Sequence, residues 1–253
     1  MKTRQELLDI IKKQLAIEYN CLVNDFLSSN NIITVSKDNA EKRHYIDGTF
    51  FFQMVTLGDN AVITADECMH EWLKAYTENK TGRWLFEHNN LAAIDEKLKD
   101  FNKKLWQTQH MFLSYKEVIP KDIDLKTEWF ENETIHQFYE TKMFPNALCK
   151  KYDPKRPDVL VVAAYDGDKI IGMAGCSADT PLLWQIGIDV DKNYRGKGIG
   201  TYLVTLIKNE TEKRGKIPFY GTSLSNLYSW GIALNSGFYP AWIEIQTIEE
   251  EEL

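Results

Sequence analysis

The segment Ile188-Asp-Val-Asp-Lys-Asn-Tyr-Arg-Gly-Lys-Gly-Ile-Gly200 has the residue types and spacing with the clearest chemical use. An apolar run enters a loop with three glycines, and an amphipathic helical pattern starts at Gly198. Glycine lets the backbone reach positive φ and come close to a ligand. The first N–H groups of a helix lack internal acceptors and stand at the positive end of its dipole. With Arg195 and Lys197 they form a site for an anion, and a pyrophosphate suits it. Two other phosphate loops are excluded: G-x-x-x-x-G-K-[ST] is absent, and the G-x-G-x-G spacing late in the chain is not the G-x-G-x-x-G of a dinucleotide fold.

A second constellation, Glu67, His70 and Glu71, falls on neighbouring turns of a helix. It is not H-E-x-x-H, and acids are expected at a helix start because of the dipole, so no metal is expected here. His110 and His136 stand alone and read as structural. Cys21, Cys68, Cys149 and Cys176 form no C-x-x-C pair, and they read as buried free thiols of a reducing compartment. Trp72, Trp84 and Trp106 are expected to build a first core, and Trp184 and Trp242 a second core or a pocket wall.

Alternating helices and strands must position these residues. Leu7, Leu8, Ile11 and Leu15 mark an opening amphipathic helix, which lacks the apolar core of a signal peptide. Ile32–Val35, Thr49–Leu57 and Ala61–Thr64 read as strands, the last two as a hairpin about Gly58-Asp-Asn60. Thr64 with Glu67 is a capping-box spacing that starts a helix running to about Tyr76. Arg83–Phe86 is a short apolar run after Gly82, Leu91–Lys104 a helix, and Leu105–Leu113 extended chain. Ser114–Lys126, charged and holding Pro120, marks a boundary. A helix is expected around Glu128–Tyr139. Asp158–Tyr165 and Lys169–Cys176 form a hairpin across Asp166–Gly167, and Leu182–Val190 is a third strand. Gly198–Arg214 is a helix closed by Gly215, Ile217–Gly221 a strand, Ser225–Ser236 a helix and Phe238–Thr247 a final strand. Glu249–Glu252 reads as a solvated acidic tail.

The 253 residues suffice for two domains. Hydrophobic residues at 43% and charged residues at 26% are ordinary for a globular protein. A net charge of −7 leaves little general attraction for nucleic acid or an anionic membrane, although Lys192, Arg195 and Lys197 make a local basic patch. No apolar run reaches membrane-spanning length, and a cytoplasmic protein is expected.

Arg195-Gly-Lys-Gly198-Ile-Gly200 fits the pattern [QR]-x-x-G-x-[GA] and resembles the acetyl-CoA loop of the GNAT superfamily of N-acetyltransferases. Val190 stands five residues before Arg195, and Asn226 followed by Ser236-Gly237-Phe238 is similar to the family's "N…GF" element. The element order agrees from about Phe112 to Ile245; residues 1–110 carry no such likeness. The resemblance implies an α/β (α+β) class with a mixed, splayed sheet flanked by helices, in a GNAT acetyltransferase domain over 116–253. A smaller α/β domain of unassigned role would precede it over 1–115, walling the acceptor pocket or serving protein interaction.

The resemblance also implies an acyltransferase that moves the acetyl group of acetyl-CoA, with no metal, to a primary amine on a small molecule or peptide. The alternative is an acyl-CoA-binding or sensing protein without turnover. Backbone groups of Ile188, Asp189 and Val190 would pair with the pantetheine arm. Arg195, Gly196, Lys197, Gly198, Ile199, Gly200 and Thr201 would hold the pyrophosphate, and Asn226 would stand near the pantetheine or thiol end. Where the family often carries a tyrosine acid and a glutamate base, this chain has Ala233 and Trp184, with Gln185 beside the latter. Lys192 replaces a common proline. Tyr228, Ser229 and Tyr239 are the nearby substitutes for the acid.

Overall fold

The computed structural model describes residues 2–249 other than 122 and 142. It is a mixed α/β structure in two compact units, Arg4–Met111 with Ala241–Leu253, and Phe112–Pro240 with residues 1–3. The acidic run 249–252 lies outside the described residues, apart from the backbone of Glu249. No helix among the described residues is long and apolar enough to cross a membrane.

In the first unit, α1 (Arg4–Glu18) buries Leu7, Ile11 and Leu15, whose spacing of four puts them on one face. β2 (Phe52–Thr56) and β3 (Ala61–Ala65) form the expected antiparallel hairpin, and β1 (Ile32–Val35) runs parallel to β3. The later part of β11 (Phe238–Glu249) pairs with β2, Ile243 opposite Thr56, and with the short β4 (Lys103–Leu105). The chain's last strand thus completes the unit begun by its first residues. Leu73 of α2 (His70–Thr77) and Ile94 and Leu98 of α3 (His88–Leu98) pack on Phe52, Met54 and Ile63.

Several expectations for this unit are corrected. The capping box at Thr64 does not form, because Thr64 is buried in β3; instead the Asp66 carboxylate accepts the Cys68 N–H at 3.0 Å. A 3-10 turn, Glu67–Met69, then leads into α2. Gly82–Phe86 is a second 3-10 turn. Trp84 and Trp106 are 53% and 48% exposed and do not build the core, whereas the half-buried Trp72 stacks on Tyr76 at 4.6 Å. Of the four free thiols only Cys176 is buried; Cys21 and Cys149 are half-buried and Cys68 is exposed.

The second unit contains the strand order β5 (Gln109–Ser114, from Phe112 on), β10 (Ile217–Ser223), β9 (Leu183–Val190), β8 (Lys169–Ala178), β7 (Asp158–Asp166), β6 (Lys126–Glu131). β6 to β9 are mutually antiparallel; β9 and β10 are parallel and joined through α4 (Ile199–Lys213). One sheet face packs Leu160, Val162, Ala174 and Ile186 against Ile199, Leu203 and Ile207 of α4 and Ala233 of α5 (Leu227–Asn235). The other face packs Val161, Ala163 and Met173 under Ile135, Phe138, Phe144 and Leu148. The helix expected around Glu128–Tyr139 is replaced by β6 and a 3-10 segment, Asn132–Phe138. Thr127, Trp129 and Phe130 suit a strand, and β7 offers its backbone edge, so pairing overrides the local pattern.

Candidate functional site

β9 and β10 separate partway along their length. They are paired from Ile217 opposite Leu183 to Tyr220 opposite Ile186, and there the ladder ends. On its other side β9 stays paired with β8 as far as Val190 opposite Gly172. Gly187–Val190 and Gly221–Ser223 therefore turn unpaired backbone edges toward a fork between the two strands. Buried backbone donors and acceptors demand partners, so such an edge suits an extended ligand that hydrogen-bonds along it. The 144–148 segment grips β9 on the far side from α4. Asp189 accepts from the N–H groups of Asn146 and Ala147 at 2.7 and 3.0 Å, and from the Asn146 side chain at 2.6 Å. A Cβ at Gly187 would stand 1.9 Å from the Asn146 carbonyl oxygen, so only glycine admits this approach.

The glycine loop continues directly from the open end. The Asp191 N–H donates to the Ile171 carbonyl at 2.8 Å as a last rung. The Asp191 carboxylate accepts the Asn193 N–H at 2.9 Å and the Lys169 ammonium at 2.7 Å, and Lys169 holds it below its ordinary range. The Tyr194 hydroxyl donates to Asp166 at 2.6 Å, and the Lys197 ammonium lies 5.0 Å from the Tyr194 ring centre. Gly196 and Gly198 have φ of +79° and +84°. Gly198 caps α4, and the earliest amide bonded within the helix is that of Tyr202, to the Gly198 carbonyl at 3.0 Å. The N–H groups of Ile199, Gly200 and Thr201 are the orphan donors that any helix start presents. Arg195 is aimed by its Nε–H, which donates to the Val190 carbonyl at 3.0 Å. Lys192, Arg195 and Lys197 bring three cations to this loop, and the field of Lys192 acts on the Asp191 carboxylate. A Cβ at Gly196 would meet no described atom within 4 Å, and one at Gly198 would stand in ordinary contact with Ile123 Cδ1 at 3.8 Å. Positive φ at both glycines, with room for at least one further atom at each, suits an anion approaching the backbone.

Residues 124–238 match the family model described as Acetyltransferase (GNAT) family. Residues 124–238 are a GNAT acetyltransferase domain. No curated protein matches the chain. Solved structures similar to it include a candidate GNAT acetyltransferase from Novosphingobium aromaticivorans, 14% identical over 58% of this chain and 66% of that one, TM-score 0.47. A GCN5-related N-acetyltransferase-like protein from Streptococcus suis is 16% identical over 64% of this chain and 69% of its own, TM-score 0.45. An acetyltransferase of the GNAT family from Colwellia psychrerythraea is 12% identical over 98% and 97%, TM-score 0.46.

Within the GNAT domain the expected site residues have different surroundings. Strand alternation turns the backbone groups of Ile188 and Val190 toward the fork, with the Val190 carbonyl taken by Arg195 Nε, whereas Asp189 pairs with Met173 of β8 and its carboxylate is committed to Asn146 and Ala147. Asn226 caps α5, its Oδ1 accepting the Ser229 N–H at 3.2 Å, and its side chain is exposed. Tyr228 is 92% exposed. Tyr239 is half-buried, its ring edge-on to Tyr115 with centroids 5.2 Å apart. Ser229 meets a residue that sequence reasoning passed over: its Oγ lies 2.6 Å from the Tyr220 hydroxyl. Strand alternation marks Tyr220 only as core, and nothing in the sequence brings it to Ser229. Ala233 and Trp184 are buried, and Gln185 accepts from Arg156 Nη2 at 2.6 Å.

The first unit holds a second polar constellation that sequence reading missed. Arg43 is buried and donates to Glu18 at 2.7 Å and to Glu244 at 2.8 Å; Glu244 also accepts from Trp242 at 2.7 Å. Burial works against the Arg43 charge, but the two carboxylates outweigh it and raise its pKa. Glu67, His70 and Glu71 do not converge: His70 Nε2 lies 3.2 Å from the Ala65 carbonyl, and no group of three metal-ligating side chains occurs among the described residues.

Proposed function

We propose that this chain transfers the acetyl group of acetyl-CoA to a primary amine by direct attack of the amine. The observation that carries this is the fork itself: two parallel strands paired as far as Ile186 and Tyr220, unpaired beyond, and opening onto a glycine-rich helix start. The fit to acetyl-CoA follows from donors and acceptors. Orphan amides of Ile199–Thr201, with Arg195, Gly196, Lys197 and Gly198, suit the pyrophosphate. The free edge of β9 across Ile188, Asp189 and Val190, offered by the Ile188 N–H and C=O and the Val190 N–H, suits the amide-bearing pantetheine arm. Acetyl-CoA supplies the activated acyl thioester; the chain holds it and orients the amine toward the carbonyl carbon.

In this reading the acceptor is a small-molecule or peptide amine, and the enzyme works in the cytoplasm without a metal. Calorimetry with acetyl-CoA tests binding, and release of free thiol across a panel of amines tests turnover. Absence of binding at millimolar acetyl-CoA would refute the proposal. The burial of Ala233 and Trp184, where the family often has its acid and base, favours a second reading, an acyl-CoA-binding protein without turnover. Binding with no thiol release from any amine would select it.

A further inference from the structure

The closed end of the fork carries a hydrogen-bonded hydroxyl pair, in which either oxygen can donate. Val190, where the loop begins, lies four positions along β9 from the last paired rung at Ile186 and Tyr220. At strand rise that is about 13 Å. A ligand with its anionic end on the loop and its arm along the free edge brings its far end to this rung. Tyr220 is 2% exposed, packed against Phe112 and Phe238, and its hydroxyl is 2.6 Å from Ser229 Oγ. Ser229 is half-buried in the first turn of α5, whose start is fixed by the Asn226 cap. Burial pushes the Tyr220 phenol up to about 12, the Ser229 hydrogen bond works against this, and Asp189 is the charged group whose field adds to it. Tyr220 therefore stays protonated across neutral pH. When it donates to Ser229, the Ser229 proton is left to point outward.

We propose that Tyr220 is a positioning residue that, by donating to Ser229, aims the Ser229 O–H at the thioester sulfur of bound acyl-CoA. This rests on the acetyl-CoA reading above. In the transfer the amine nitrogen bonds to the carbonyl carbon and the carbon–sulfur bond breaks with its electron pair on sulfur. Ser229 donates a hydrogen bond to that sulfur, and the proton shed by nitrogen reaches it through solvent. Tyr220 and Ser229 finish with the protons they began with. Donors fixed where negative charge develops need no reorganisation during the step.

The test needs no knowledge of the acceptor. The thiol of CoA bound to the full chain is titrated by thiolate absorbance, as a difference against enzyme alone, for wild type, Tyr220→Phe and Ser229→Ala. The expected result is a bound thiol pKa below that of free CoA in wild type, rising by about one unit, tenfold in the thiolate ratio, in each variant. Calorimetric affinity for CoA, measured where the thiol is protonated, should stay within about threefold of wild type. Tyr220→Phe keeps the ring and its packing; should it fail to fold, Ser229→Ala decides alone. CoA binding with the same thiol pKa in wild type and variants overturns this inference and leaves the acetyl-CoA reading standing. No CoA binding by wild type overturns both.

Discussion

Two glycines separate a ligand role from a backbone role. Gly198 and Gly215 have φ of +84° and +74°; a Cβ at Gly215 meets nothing within 4 Å, and one at Gly198 meets only Ile123 Cδ1 at 3.8 Å. Alanine at either site therefore pays the same local penalty, roughly 1–2 kcal/mol for a left-handed non-glycine residue. For a chain of this size that lowers Tm by about 2–8 °C. Only Gly198 stands at the start of α4, where acetyl-CoA is proposed to bind, whereas Gly215 follows the end of the same helix. A methyl group over the loop would hold the pyrophosphate off at least one amide. A charge-assisted hydrogen bond contributes about 1.5–3 kcal/mol, or roughly 10- to 150-fold in Kd. The expected outcome is a similar fall in Tm for Gly198→Ala and Gly215→Ala, with weakened acetyl-CoA binding in the first alone, read by calorimetry. Equal affinity in both variants would refute the placement of the phosphates on this loop.

Further outcomes follow from other residues. Arg43→Met should lose about 3–5 kcal/mol in chemical denaturation, because Glu18 and Glu244 stay buried without a cation. Asn226→Ala should lose about 1 kcal/mol through the helix cap, and Asn226→Ser, which keeps a capping oxygen, should recover most of it by thermal melting. Asp158 has its pKa raised above the ordinary 3.8, chiefly by burial, with hydrogen bonds from Tyr139 and Cys149 opposing. A carboxyl that is a weaker acid when folded favours the fold most below 3.8 and loses that contribution as pH rises through the raised value. Asp158→Asn should remove this slope, so the denaturation midpoint should change less between about pH 4 and 7 than in wild type.

Much of the GNAT domain was legible because its signals are local. The Asp166–Gly167 turn sets the β7–β8 hairpin, and the period of Ile199, Leu203 and Ile207 sets α4. The loop was legible for the same reason: Gly196 and Gly198 have the positive φ that their residue type permits most cheaply. Where expectation failed, a distant partner had intervened. β7 draws Lys126–Glu131 into a strand although the run reads as a helix, and β3 takes Thr64 from the cap assigned to it. Trp84 and Trp106 are apolar by type but lie where no layer covers them.

By itself, the sequence determined the glycine loop, the elements on either side of it and the family they resemble, since each follows from residues close together in the chain. Tertiary structure alone decided how β9 and β10 diverge after Ile186 and Tyr220, because the register of a parallel pair is set by packing across α4 and by the grip of Asp189 on Asn146 and Ala147. It also decided that Asp189 is spent on structure and that Ser229 meets Tyr220. Hydrogen bonds of this kind join residues on different elements, and the order of residues along a chain does not record them.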